Sequence, residues 1–387
     1  MLWEADPGEA VLHIGIEATS WNLNRGYGRF ARELFQALIP RSRHQFTFFS
    51  DEAQSNYPFP PGARVQRVNT PRSTPQATVR GGTRPWRNLL AMSWALSRAR
   101  LDALLFPCDY SFVPVFSKAR RVVVVHDITA HLYPQLTFQH PLQAWLWRLK
   151  SSLARHQAHQ LVTVSEHSRQ GLARQFQLPA ERIRVVLEAP SQAFYPKPEA
   201  RLPERLPEGR RFLTYVGGFA PLKNVPSLID AFARLIDKYP DLDLVLAGER
   251  RNESFYSQVR AIERQIESMN LGARVHFTGF LPDAQVADLL NLSLALVLPS
   301  WNEGFGLPAV EAAACGCPVV ATRSSPLPEL LGEGALYIDP GSPEQLFNAL
   351  LQVVSEPVGR GHRAWTAVQQ LRWEHSAQQM EAILETL

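Results

Sequence analysis

From Phe212 onward the chain repeats one pattern: a short apolar run, a turn, then a segment with helical spacing. The runs are FLTYVGG, LDLVLAG, RVHFTG, LALVLPS, PVVAT and ALYID. Strands separated by helices must cross over, which gives parallel sheets covered by the crossover helices. This half therefore reads as a doubly wound domain of about six βα units.

The first half follows the same rule. VLHIGIE, QFTFF, DALLF, RVVVVH and QLVTVS read as strands, and YGRFARELFQAL carries apolar residues at helical intervals. The run VVVV at 122–125 is apolar on both faces, as a strand covered on both sides should be. Between Glu188 and Arg211 the pattern breaks, with five prolines from Pro190 to Pro207. Neither a helix nor a central strand tolerates that density. The chain has 387 residues, and single cores stop growing at about 250–300. The expected layout is a Rossmann-like domain over 1–187, a linker over 188–211, a second Rossmann-like domain over 212–370, and a C-terminal helix over 371–387 packing back on the first. Ligands of such sheets bind beyond the carboxyl ends of the strands, so two domains facing a central crevice would place their strand-to-helix turns there.

Charge separates the halves. Residues 1–187 hold 23 Lys and Arg against 12 Asp and Glu, a net of +11, whereas 188–387 hold 17 against 24, a net of −7. Ala53–Leu101 contains eight arginines and no acid. An anionic partner is expected for the first half. TRPWRNLLAMSWALSRAR at 83–100 reads either as an interfacial helix on an anionic membrane or as a helix on the sheet with solvated arginines. No apolar run reaches the ~18 residues of a membrane span. The start, MLWEADPGEA, lacks a basic n-region, so a cytoplasmic chain is expected, peripheral on the inner membrane face if the basic half binds lipid. Cys315 and Cys317, one residue apart, read as buried thiols rather than a disulfide or metal pair.

The turns carry the chemistry. In TYVGGFAPLKN, Gly217 and Gly218 end a strand, and a helix is expected to begin near Lys223. Glycines admit close approach and a helix start favours an anion, so this is either a diphosphate site or a glycine-closed turn. In LALVLPSWNEGFGLPAVE, Gly304 and Gly306 permit a tight turn and Pro308 suits a first helical turn. Glu311 then either accepts two ribose hydroxyls or is solvated; Glu303 either contacts a sugar or caps the helix. His126 and Asp127 end the strand RVVVVH, and NRGYGRFAREL places Gly26 and Gly28 in a close-approach loop. Ser165 reads as a helix cap. The DLD at 241–243 leads into a strand, and no metal set is implied.

Together these stretches make the chain resemble the retaining glycosyltransferases of family 4, which have the GT-B fold. EGFGLPAVE matches that family's Glu-x7-Glu motif; YVGGFAPLKN, VHFTGFLPD, CGCPVVAT, SSPLPELLGEGALYIDP, GYGRFAREL, VVVHDIT and VTVSEHS support it. The resemblance implies His126, Lys223 and Glu303 as catalytic residues, over the sugar, on the diphosphate and on the transferred sugar respectively. It implies donor binding by Gly217, Gly218, Phe305, Gly306, Leu307 and Glu311, with Glu311 on the ribose. It puts a phosphate and acceptor loop at Gly26, Tyr27, Gly28 and Arg29, and borders the nucleobase with Phe277–Leu281. It further implies a UDP- or GDP-sugar donor as co-substrate, no metal or other cofactor, a glycan or lipid-linked acceptor, no nucleic acid, and transfer with retention by preorganised charge. In one place the sequence departs: the family usually has Arg where Leu222 stands. Arg250 or Arg251 would be the substitutes. The departure keeps open a non-catalytic, sugar-nucleotide-binding scaffold subunit of a glycan-assembly complex.

Overall fold

The structure, a computed structural model, describes residues 10–24, 26–51, 55–70, 85–203, 206–207, 209–250, 257–356 and 360–387. The chain forms two compact units. Unit 1 takes the residues up to His131, His140–Glu188 and Trp373–Leu387; unit 2 takes Leu132–Gln139 and Ala189–Arg372.

Unit 1 is built on seven parallel strands: β1 (His13–Glu17), β2 (Gln45–Ser50), β3 (Arg64–Arg67), β4 (Ala103–Phe106), β5 (Arg120–Val124), β6 (Gln160–Thr163) and β7 (Ile183–Val185). Their order is β3-β2-β1-β4-β5-β6-β7. Ile14 of β1 pairs with Phe46 on one side and Ala103 on the other. Val122–Val125 are all buried, in keeping with their apolar run. The helices Trp86–Arg98 and Pro141–Gln157 cover one sheet face, where Met92, Leu96 and Ala154 share a core with Phe106 and Val123.

Unit 2 has six parallel strands: β8 (Arg211–Val216), β9 (Leu242–Ala247), β10 (Val275–Gly279), β11 (Ala295–Leu298), β12 (Val319–Thr322) and β13 (Ala335–Ile338). The order is β10-β9-β8-β11-β12-β13. In each sheet the first strand lies beside the fourth, β1 beside β4 and β8 beside β11. Strand order reverses there, and the chain leaves the two neighbouring carboxyl ends in opposite directions, opening space for a ligand.

Several expectations need correction. Residues 132–139 belong to unit 2 and not to the domain expected over 1–187. Arg211, assigned to the linker, is the first residue of β8. Gly26–Arg29 is not a loop: the helix Gly26–Leu38 already begins at Gly26. Lys223 does not open a helix either. It ends a 3₁₀ turn, Pro221–Lys223, and the helix starts at Val225, because Asn224 adopts a left-handed conformation between them.

The helix Trp373–Leu384 packs in unit 1 against the helix Gly26–Leu38. Ser376 Oγ donates to the Leu187 carbonyl at 2.6 Å, Gln379 accepts from the Leu187 amide at 3.1 Å, and Ser42 Oγ donates to Glu381 at 2.7 Å. Among the described residues no helix is long and apolar enough to cross a membrane.

Candidate active site

In unit 2 the turns after β8 and β11 meet at the reversal point. The Trp301 amide donates to the Leu222 carbonyl at 2.9 Å, and Asn224 Nδ2 donates to the Pro299 carbonyl at 3.2 Å. Those bonds fix the backbone of 217–224 against 299–306. Across them, Lys223 Nζ lies 2.7 Å from Glu303 Oε1, which also accepts from Ser300 Oγ at 2.6 Å. Glu303 is therefore an ion-pair partner, and the helix-capping alternative does not describe it.

The position before the helix Leu307–Ala314 is Gly306, with φ +81°, and an added Cβ would press on Leu327. Pro308 sits in the first turn. A helix start leaves amides that cannot bond within the helix, and it favours negative charge. Among the described residues, the amides of Phe305, Gly306 and Leu307 have no backbone acceptor. One turn further in, Glu311 is 1% exposed. That excludes the solvated alternative, since a buried carboxylate must be matched by polar groups. Leu307 and Val310 are buried as well.

On the other side of the turn Gly218 is exposed, and an added Cβ there would meet open space. The Tyr215 hydroxyl donates to the Gly218 carbonyl and holds the loop. Burial, and then Glu303, push the Tyr215 hydroxyl well above its usual range, so it stays a donor. Phe277 meets Phe219 edge to face at 5.6 Å and lies under the Arg250 guanidinium at 4.9 Å. Arg250 is also paired with Glu263; Arg251 lies outside the described residues. Asp241 and Asp243 are taken up by arginines, Arg211 on the first and Arg210 and Arg274 on the second.

Unit 1 gathers a different set at its strand ends. His126, just past β5, is buried; its Nε2 donates to the Pro107 carbonyl at 2.9 Å and its Nδ1 lies 3.4 Å from Glu188. Burial works against the charged ring, but the Glu188 carboxylate, the Pro107 carbonyl and Asp109 outweigh it and raise the imidazole pKa. Both ring nitrogens are thus committed to acceptors, which suits the imidazolium. Tyr27 meets the ring edge to face at 4.9 Å and stacks on Tyr110 at 5.4 Å. Burial and then Asp127 push the Asp109 carboxyl up to about 6, with His126 and Lys150 opposing. Gly28 is required sterically, because an added Cβ would collide with the Leu23 carbonyl. Gly26 has open space, and Arg29 is half-buried on the same first turn. Ser165 caps the helix Glu166–Phe176, accepting from the Ser168 amide at 3.1 Å.

The comparisons fit this architecture. The profile described as glycosyl transferases group 1 matches residues 196–369, and that of glycosyltransferase family 4 matches residues 24–187. The chain belongs to glycosyltransferase family 4. This glycosyltransferase is 29% identical over 271 residues to O-antigen chain mannosyltransferase B of Escherichia coli, covering 67% of this chain and 68% of that one. It is 31% identical over 236 residues to the MMP alpha-(1->4)-mannosyltransferase of Mycolicibacterium hassiacum, covering 58% and 54%. Its fold superposes on sucrose-phosphate synthase from Thermosynechococcus elongatus with a TM-score of 0.78, at 20% identity, over 97% and 98% of the two chains. The two parallel-sheet, Rossmann-like domains are those of the GT-B fold.

Sequence reasoning overlooked three groups around His126: Asp109, Tyr110 and Glu188. The signal for the first two was positional. PCDYS follows DALLF directly, and strand order would have put it at the reversal point beside β1. Glu188 was assigned to the start of the linker, and nothing local in the sequence ties it to His126.

Proposed function

We propose that this glycosyltransferase moves a hexose from a nucleotide-sugar donor to a glycan or lipid-linked acceptor, with retention at the anomeric carbon and without a metal ion. The observation that carries the reading is the Lys223–Glu303 pair at the unit 2 reversal point, with the buried Glu311 in the helix that follows. An anion arriving there meets one lysine cation and the amides of a helix start, the usual equipment for phosphate.

In this reading Glu311 accepts the two ribose hydroxyls. The diphosphate takes over Lys223, which releases Glu303 to the hydroxyls of the transferred sugar. Gly217 and Gly218 let the backbone approach the phosphates, and the amides of Phe305, Gly306 and Leu307 reach the sugar and phosphate oxygens. Lys223 then stabilises the departing diphosphate, and a donor phosphate oxygen takes the acceptor proton on the same face of the sugar. Preorganised charge supplies the rate enhancement, and no protein nucleophile or metal is needed. In unit 1, Glu188 and the Pro107 carbonyl hold His126 protonated and oriented for the reacting sugar.

Several mannosyltransferases among the relatives, one of them described as GDP-mannose-dependent, make GDP-mannose the first donor to test, alongside UDP-glucose and UDP-N-acetylglucosamine. Nucleoside diphosphate release with one donor, insensitive to a chelator, and a product whose anomeric configuration matches the donor by NMR would support the reading. Tight donor binding with no turnover on any acceptor would favour the scaffold reading instead, for which Leu222 is the specific observation: its side chain offers no second phosphate cation.

A further inference from the structure

Unit 1 carries an apolar surface that the chemistry of transfer does not use. On the helix Trp86–Arg98, Trp86, Leu90 and Trp94 are exposed at successive turns, Trp94 to 66%. On the helix Pro141–Gln157, Leu142, Trp145, Leu146, Leu149 and Leu153 are exposed, again along one face. Only Ser151 and Ala154 of its seventeen residues are buried. An ordinary surface helix reverses this pattern, with its leucines inside.

The two helices share one core. Both cover the same face of the sheet, and both are tied to the segment 114–116 between them. Ser93 Oγ donates to the Pro114 carbonyl at 2.5 Å, the Phe116 amide donates to Ser97 Oγ at 3.0 Å, and the Val115 amide donates to Gln157 Oε1 at 3.1 Å. Phe116 itself is 81% exposed at this junction. Two helices and the segment bonded to both thus present exposed apolar side chains on the same side of the sheet, well beyond the scattered single residues of a soluble face.

Its charge is one-sided. From Ala53 to Ser165 there are fourteen Lys and Arg against three acids, Asp102, Asp109 and Asp127. Neither helix contains an acid. Asp109 is buried, Asp127 accepts from the Thr129 amide, and Asp102 accepts from the His13 amide. The guanidinium groups of Arg87 and Arg98 lie over the rings of Trp86 and Trp94, at 5.3 and 5.1 Å, and Arg148 is exposed on the second helix. Tryptophans and leucines facing outward with arginines alongside suit the boundary between lipid headgroups and acyl chains. A second copy of the same face would set positive charge against positive charge.

We propose that this two-helix face of unit 1 docks on an anionic lipid surface, with the tryptophans and leucines entering the headgroup boundary and the arginines on the lipid phosphates. The proposal rests on unit 1 alone and does not depend on which reaction the protein performs. The test is co-sedimentation of the full chain, without donor, with vesicles of mixed phosphatidylglycerol and phosphatidylcholine, and with phosphatidylcholine alone. Binding to the anionic vesicles, weakened by salt, is expected, with a blue shift of tryptophan emission as the exposed indoles leave water. The double variant Trp94→Ser/Trp145→Ser, which keeps every charge, should lower the partition coefficient about tenfold or more. Circular dichroism melts of the variant check its fold, and the emission shift of the unaltered protein needs no variant. Absence of binding to either vesicle, equal binding by the double variant, or a wild-type dimer that the double variant abolishes would each overturn the proposal.

Discussion

The two units have the same strand order around their reversal points, yet the turns there are made of different material. Unit 2 offers backbone amides, two exposed or half-exposed glycines and a lysine already balanced by Glu303. Unit 1 offers a cluster of rings and acids, with buried Asp109 and Glu188 and half-buried Tyr27 and Tyr110 around His126. The first arrangement suits a charged ligand that arrives and leaves, because its groups exchange one partner for another. The second is filled by its own side chains and works through fixed orientation. In the proposed function a single topology thus serves recognition in one unit and positioning in the other, and the turn residues make the difference.

The sharpest way to break this contrast is Lys223→Ala. It should lower kcat by about 10²–10³ if the lysine stabilises the leaving diphosphate; a loss under about twofold in steady-state assays would remove it from that role. Next comes Glu311→Gln, which keeps the volume and loses the charge. A charged hydrogen bond contributes about 1.5–3 kcal/mol, so donor affinity by calorimetry should fall about 10–100-fold. His126→Ala draws the contrast from the other side: turnover falls while nucleoside diphosphate affinity stays within about twofold. An equal loss of affinity would mean that unit 1 also recognises the nucleotide. The smallest effect concerns Asp109. Its carboxyl holds a proton more tightly in the fold than in the unfolded chain, so its contribution to stability is complete below the ordinary carboxyl range, near 4, and is lost as pH rises through about 6. Denaturant melts across that window should show Asp109→Asn losing this part of the pH dependence; an unchanged slope would place the titration elsewhere.

Legibility followed locality. All six strands of unit 2 could be read because each is a short, mainly apolar run next to a glycine or proline, even where, as in β10 and β13, the strand is only partly buried. In unit 1, β3 and β7 could not. RVQR is exposed throughout and IRV has three residues, and short polar strands are how sheet edges avoid pairing with other chains. Glu303 and Glu311 were legible as a pair because one turn and one helix fix their spacing. Their environments were not: the Lys223 contact depends on β8 and β11 being neighbours, and that is a tertiary fact. The same limit hid Glu188 and the exchange of residues 132–139 between units. Leu222 reads as a lost cation in sequence. In the fold its carbonyl keeps a structural duty, receiving the Trp301 amide, which any residue there could perform.

The helix Trp373–Leu384 imposes an order of events on the making of the protein. Domains generally close as they leave the ribosome, the earlier one first. Here the earlier sheet is complete by Val185, while the helix that covers Gly26–Leu38 and ties down Leu187 is synthesised after the whole of unit 2. Throughout that interval the apolar flank of unit 1 must wait uncovered. The unit begun first is the one finished last, and a chain halted before Trp373 would leave the ribosome with that flank still open.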